Sequence, residues 1–182
     1  RQMCIRDRIG VVSDVSNLYD LILKEKEKNM KDTFTECYNK NGFKELCKKF
    51  LDKNPRPSYT FIMIDLDDFK AINDNFGHET GDKVLLETVK QLREFFPRPS
   101  LIGRFGGDEF MVLCPFSQKE LLEETINHFM ECTIPPYSVK KSVGYTFIPD
   151  DKIDYEEIIK TADKALYTAK QKKNCAVFSS IF

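Results

Sequence analysis

The run Tyr59-Thr60-Phe61-Ile62-Met63-Ile64-Asp65-Leu66 constrains this chain more than any other stretch. It is continuously apolar until a carboxylate enters at its end, the pattern of a buried central strand rather than a half-exposed one. Such a strand delivers Asp65 and Asp67 to the edge of a sheet. A second feature answers it. Leu101 and Ile102 lead into Arg104-Phe105-Gly106-Gly107-Asp108-Glu109-Phe110, and a further apolar run continues to Leu113. Gly-Gly between two strand-like runs predicts a hairpin, because tight hairpin turns need positive φ without steric cost. Asp108 and Glu109 then sit at its tip, and the bare backbone at Gly106 and Gly107 lets a phosphate approach closely. The plain alternative is an ordinary hairpin with a solvated acidic tip.

The remaining elements follow from periodicity. Val11, Val15, Leu18 and Ile22 alternate four- and three-residue steps, a coiled-coil seam or one amphipathic helix, followed by a charged run from Lys24 to Lys28. Asp32 or Thr35 reads as the N-cap of the next helix, whose apolar face is Phe43, Leu46, Cys47, Phe50 and Leu51 and which stops before Asn54-Pro55. A short helix over 69–76 closes at Gly77. Val84, Leu85, Thr88, Val89, Leu92 and Phe96 stripe a longer helix that ends at Pro97. Helices over 121–130 and 155–169 flank a strand around Ser142-Val143-Gly144-Tyr145, and a last strand is predicted over 175–182. This interleaving gives an α/β class, an α+β two-layer sandwich with a central, mostly antiparallel sheet flanked by helices.

Composition narrows function. Of 182 residues, 41% are hydrophobic and 31% charged, enough apolar material for one core, and the formal net charge of -1 gives no bulk nucleic-acid binder. Six cysteines show no metal-ligand spacing, and Cys114 and Cys175 lie in apolar runs, which suits buried free thiols in a reducing, cytoplasmic setting. No apolar run approaches the roughly 18 residues of a membrane-spanning helix. Arg1 stands where a methionine is expected, so the sequence reads as a fragment: residues 1–31 a helical linker, with 1–8 given no weight as a possible assembly scar, and residues 32–182 the folded domain.

Asp65 and Asp108, from two strands, are the minimal cage for Mg²⁺, which prefers few protein ligands, several waters and substrate phosphates. Lys70, Lys170, Lys172 and Lys173 supply positive charge, and the helix start near Phe69 supplies backbone amides. Together these point to nucleotidyl or phosphoryl transfer, against a purely structural acidic edge.

The run Asp65-Leu66-Asp67-Asp68-Phe69-Lys70-Ala71-Ile72-Asn73-Asp74, then Gly77-His78 and Gly81-Asp82-Lys83-Val84-Leu85, closely resembles the diguanylate cyclase (GGDEF) family. So does Arg104 to Phe110, which spells the family's name. Ser142-Val143-Gly144 looks like its S-I-G strand, and Ala162 to Lys170 like its A-D-x-A-L-Y-x-A-K helix. The resemblance covers about residues 32–178. It implies a palm-like nucleotidyl cyclase fold that condenses two GTP into cyclic di-GMP and pyrophosphate at a homodimer interface, with an upstream sensory or receiver domain. It further implies that Asp65, the Leu66 carbonyl and Asp108 hold Mg²⁺, with Mn²⁺ as a substitute. Asn73 and Asp82 would bind guanine, and the amides of Phe69 and Lys70 would cradle the phosphates with the side chain of Lys170. Lys70 would neutralise charge in the transition state, and Gly107 and His78 would lie against the substrate. Strand alternation turns Glu109 to the opposite side from Asp108, which gives it a structural or supporting role. No nucleic-acid or membrane contact is expected within this segment, although the full protein could be anchored.

Four departures stand out. Glu36 replaces a glycine and Asn41 a basic residue in the family's opening motif. Gln171-Lys172-Lys173-Asn174 lacks a glycine, so either Lys173 or Asn174 fills the second phosphate-binding position. The segment 115–141 is short for the family. The product-inhibition motif R-x-x-D would fall on Pro97 and Ser100, and neither fits. A catalytically silent, GTP-binding domain is therefore the alternative reading.

Overall fold

A computed structural model describes residues 25, 28–52, 58–116, 118–148 and 154–181. The Val11-Val15-Leu18-Ile22 seam and the opening residues lie outside them. The strands are β1 (Tyr38–Asn39), β2 (Tyr59–Leu66), β3 (Leu101–Gly106), β4 (Glu109–Pro115), β5 (Lys141–Ile148) and β6 (Ala176–Phe178). The helices are α1 (Lys40–Leu51), α2 (Phe69–Phe76), α3 (His78–Phe95), α4 (Lys119–Glu131) and α5 (Tyr155–Lys172). The strands form one sheet in the order β1-β3-β4-β2-β5-β6. β2 pairs antiparallel with β4 and β5, and β3 with β4, while the outer pairs β1–β3 and β5–β6 are parallel. This is the expected α/β class with a mostly antiparallel sheet.

Every residue of β2 is buried, and its two parities feed different cores. Phe61 and Met63 pack with Phe43 and Cys47 of α1 and with Tyr155, Ile158, Ala162 and Leu166 of α5. Ile62, Ile64 and Leu66 pack with Val84, Leu85, Val89 and Leu92 of α3 and Phe129 of α4. Helices therefore cover both faces, one layer more than the two anticipated, which is what a strand without alternation demands. Each fully buried Phe, Ile or Leu on β2 contributes about 2–3 kcal/mol of hydrophobic stabilisation, so this strand anchors both layers.

Two local expectations change. The N-cap of α1 is Asn39, whose Oδ1 accepts from the Gly42 amide at 2.9 Å. Asp32 instead accepts from the amide and hydroxyl of Thr35 (2.8 and 2.6 Å), and backbone bonds Asp32 N to Cys37 O and Glu36 N to Asp32 O close a tight turn before β1. That turn needs a left-handed residue, and Glu36 supplies it at φ 58°, in the place where the family's motif has glycine. The last strand is shorter than anticipated, because its ladder runs only opposite Val143 to Tyr145.

Candidate active site

The C-terminal end of β2 is where the site is built. In the β2–β4 ladder Asp65 stands directly opposite Glu109, and residues directly opposite share a sheet face. Asp108 precedes β4 in the hairpin turn, after a register shift between Arg104 and Gly106. The carboxylate facing Asp65 across the ladder is thus Glu109, which parity counted from the sequence had assigned to the other face. Asp65 is 5% exposed. Burial raises its pKa; the Lys170 ammonium opposes that rise, and the charges of Asp108 and Asp67 add to it. Glu109 is raised chiefly by burial as well, with Lys170 countering and Asp65, Asp108 and Asp163 adding to the rise.

Lys170, on the last turn of α5, donates to Asp65 Oδ2 at 2.6 Å. Burial disfavours its ammonium, but the Asp65 hydrogen bond and the charges of Asp65, Glu109 and Asp108 outweigh this and hold its pKa above the usual value. Close like charges raise carboxylate pKa values and opposite charges lower them, so this is a negative cluster that Lys170 offsets only in part.

The loop after β2 is fixed through Asp67. Its Oδ1 accepts from the Ser142 hydroxyl at 2.7 Å and its Oδ2 from the Asn174 amide at 2.8 Å, while its own amide donates to the Lys140 carbonyl. Asp68 then adopts φ 57° and starts α2 without a side-chain cap. Facing it, Lys173 holds φ 57° and ψ 155°, and Asn174 φ 48°. The first of these is a region that glycine occupies almost alone, so Lys173 carries the backbone of the missing glycine. Its Nζ reaches Asp68 Oδ1 and Oδ2 at 2.7 and 2.8 Å. A cavity of about 680 Å³ opens beside this contact, lined by Asp68, Ile72, Phe76, Lys140 and Lys172 among others.

α2 carries the remaining candidates away from the carboxylates. Gly77, at φ 83°, turns the chain into α3, which brings Asn73 against the start of that helix. A methyl group on Gly81 would lie 1.9 Å from Asn73 Oδ1, so the bare Gly81 is what allows Asn73 to pack against the start of α3, next in sequence to Asp82. Asp82, His78 and Lys70 are exposed, and none has a side-chain hydrogen bond or ion pair among the described residues. At the hairpin, Gly107 takes φ 42° and its carbonyl accepts two bonds from the Arg104 guanidinium (2.9 and 2.7 Å), which also donates to Asp32 at 3.2 Å. Arg104 thus fastens the Gly-Gly turn to the turn that precedes β1.

The structure therefore brings Asp65, Asp108 and Lys170 together, places Lys173 at the start of α2 beside Phe69, and joins Asn73 to the Asp82 end of α3. Glu109 and Asp67 complete the cluster. Their parts rest on strand register and on contacts 75 and 107 residues apart, which no local motif displays.

The sequence model of the diguanylate cyclase GGDEF domain matches residues 29–175. The chain belongs to the GGDEF family. It is 32% identical over 150 residues to the probable diguanylate cyclase DgcC of Escherichia coli K12, covering 78% of this chain and 40% of that protein. Over 147 residues it is 29% identical to the cyclic di-GMP phosphodiesterase PdeR of the same organism, covering 77% of this chain and 22% of that protein. The GGDEF chain thus spans two fifths or less of the length of these curated relatives. Its structure is similar to that of diguanylate cyclase SiaD from Pseudomonas aeruginosa, solved with its activator SiaC, with a TM-score of 0.75 and 29% identity over 95% of this chain and 72% of that one. The coiled coil and GGDEF domain of DgcB from Caulobacter crescentus, solved with c-di-GMP, shares the fold at a TM-score of 0.82 and 18% identity, covering 96% and 99% of the two chains.

Proposed function

We propose that this GGDEF domain is a diguanylate cyclase, condensing two GTP into cyclic di-GMP and pyrophosphate with Mg²⁺, or Mn²⁺, as cofactor. The observation that carries the reading is the meeting of Asp65, Glu109, Asp108 and Lys170 at the sheet end from which α2 departs. Among the described residues no three His, Cys, Asp or Glu side chains are grouped so as to enclose a metal. Two carboxylates and the Leu66 carbonyl nonetheless suit a hard cation that takes the rest of its shell from water and phosphate. When bound, the cation neutralises phosphate charge and polarises the group under attack.

The chain's own residues do the rest. The amides of Phe69 and Lys70, in the first turn of α2, have no intrahelical acceptor and suit phosphate oxygens. Lys170 and Lys173 add charge at the β- and γ-phosphates. Lys70, exposed on a flexible stem, stabilises charge developing on the leaving pyrophosphate. Asp82 with Asn73 selects guanine, whose N1–H and amino group donate where adenine's ring nitrogen accepts. Gly107 leaves room for the substrate beside the hairpin, and His78 borders the guanine end.

Each domain holds one GTP, and a homodimer sets the two face to face. The pairing is expected of the sequence seam Val11-Val15-Leu18-Ile22, which lies outside the described residues. The described cysteines are free thiols, in keeping with a reducing cytoplasm, and among the described residues no helix is long and apolar enough to cross a membrane.

A second reading, a GTP-binding domain without turnover, is favoured by Glu36, which stands at φ 58° where the family's opening motif has glycine. Chromatography of products after incubating purified protein with GTP and Mg²⁺ decides between them. We expect cyclic di-GMP from the wild type and a loss of about a thousandfold or more in Asp65→Asn and Asp108→Asn, with unchanged thermal melts. Near-normal turnover in either variant refutes the metal assignment, and GTP binding without product selects the second reading.

A further inference from the structure

Two ion pairs clasp the C-terminal end of α5 to the loop after β2: Lys170 to Asp65 at 2.6 Å and Lys173 to Asp68 at 2.7 Å. Both lysines are those assigned above to the nucleotide phosphates, and Asp65 is the carboxylate assigned to the cation. The lysines assigned to the phosphates are therefore paired with the domain's own carboxylates. An Asp65 oxygen hydrogen-bonded to an ammonium at this distance is not free to ligate a divalent ion, and the ammonium repels one.

We propose that Lys170 is an exchangeable counter-cation of the metal site. In the nucleotide-free domain it holds Asp65 and keeps divalent ions out. It moves to the nucleotide's phosphates when metal and nucleotide arrive together, which couples their binding. This rests on the functional reading above and adds to it an order of events within the same site.

The burial of the two partners supports exchange rather than a fixed strut. The Asp65 side chain is 7% exposed and that of Lys170 is 42% exposed. A carboxylate this buried is costly to leave unpaired, so one cation must replace another at Asp65. The lysine stem is flexible and open to solvent on its outer side, while buried Ala169 anchors its base. Asp65 is thus never bare, and Lys170 is never far from either partner.

The test measures Mn²⁺ binding without nucleotide, from the loss of the free-ion electron paramagnetic resonance signal on titrating Mn²⁺ into the purified chain. Lys170→Met is expected to bind Mn²⁺ at least about tenfold more tightly than wild type, since it removes both the competing partner and the repelling charge. Lys170→Gln should do the same and guards against a folding defect in the first variant. Lys170→Arg, which keeps the charge, should bind as weakly as wild type. Adding Asp65→Asn to Lys170→Met should abolish the gain. If neither neutral variant tightens binding while Asp65→Asn still weakens it, the exchange is wrong and the metal site stands. If Asp65→Asn leaves the tightened binding unchanged, the metal reading itself fails, and the exchange with it.

Discussion

Replacing Gly144 with alanine should damage both the fold and the nucleotide site, because α5 rests on β5 at this residue. A methyl group there would lie 2.1 Å from the Leu166 nitrogen and 2.5 Å from the Ala162 carbonyl oxygen. Both are backbone atoms, so no side-chain rotation relieves the clash. Restoring ordinary contact at 3.4 Å requires the two elements to part by about 1.3 Å. Overpacking of this kind costs about 1–3 kcal/mol, and the upper end applies where the obstacle is backbone. Tm falls by about 2–4 °C per kcal/mol in a domain of this size, so a drop of about 6–12 °C is expected by circular dichroism. The displacement also reaches Lys170, one turn beyond Leu166 on the same face, and draws its ammonium, now 2.6 Å from Asp65, away from the loop after β2 where the phosphates are proposed to bind. GTP affinity should therefore fall in parallel, measured at a temperature where the variant is fully folded. A melt within about 2 °C of wild type would show that α5 can ride over a methyl group here, refuting the argument.

Three further outcomes follow from individual residues. Lys141 is fully buried, donating to the carbonyls of Phe129 and Cys132 at the end of α4, and burial pushes its pKa from 10.5 down to about 8. The unfolded chain thus binds more protons between those values, and this group's contribution to stability rises with pH across that window by up to about 1.4 kcal/mol per pH unit; urea unfolding of wild type against Lys141→Met at pH 7, 8.5 and 10 should show the difference moving in favour of wild type, and a pH-independent difference would contradict it. Glu36→Gly should raise stability by about 0.5–1 kcal/mol, the left-handed penalty less the added entropy of the unfolded chain, and a lower urea midpoint would exclude this. Asp82→Ser should lower the preference for GTP over ATP in kcat/KM by about a hundredfold or more, and an unchanged ratio would remove Asp82 from base recognition.

Much of this was legible in the sequence because the hydrophobic pattern is strong. The unbroken run on β2, the stripes on α3 and α5 and the Gly-Gly turn each map onto one element. Failures arose where pairing over long distances decides the outcome. Strand parity set Glu109 apart from Asp108, but only the register of β4 against β2 shows that Glu109 faces Asp65. Asn39, not Asp32, caps α1 because the turn at Asp32–Cys37 delays the helix past β1. The burial of Lys141 has no local signal, because it depends on the end of α4 presenting two carbonyls to β5.

Of the four non-glycine residues with positive φ among the described residues, three gather in one part of the molecule. Asp68, Lys173 and Asn174 all hold positive φ, each at a cost of about 1–3 kcal/mol that surrounding contacts must offset. Asp67 lies between them, 8% exposed, and its carboxylate accepts from Ser142 on β5 and from the Asn174 amide in the strained turn. A buried carboxylate with two good donors is a stiff tether, so the loop after β2 and the turn after α5 are locked to each other and to the sheet. The side chains they carry, Lys173 and Asp68, remain exposed and able to change partners. Rigid backbone beneath movable charge is the arrangement that a phosphate-binding site requires, since the amides must be in place before the ligand arrives while the lysines must be able to follow it. That is why the missing glycine after Lys172 does not by itself argue for a silent domain: the conformation glycine would have provided is present at Lys173, held there by Asp67.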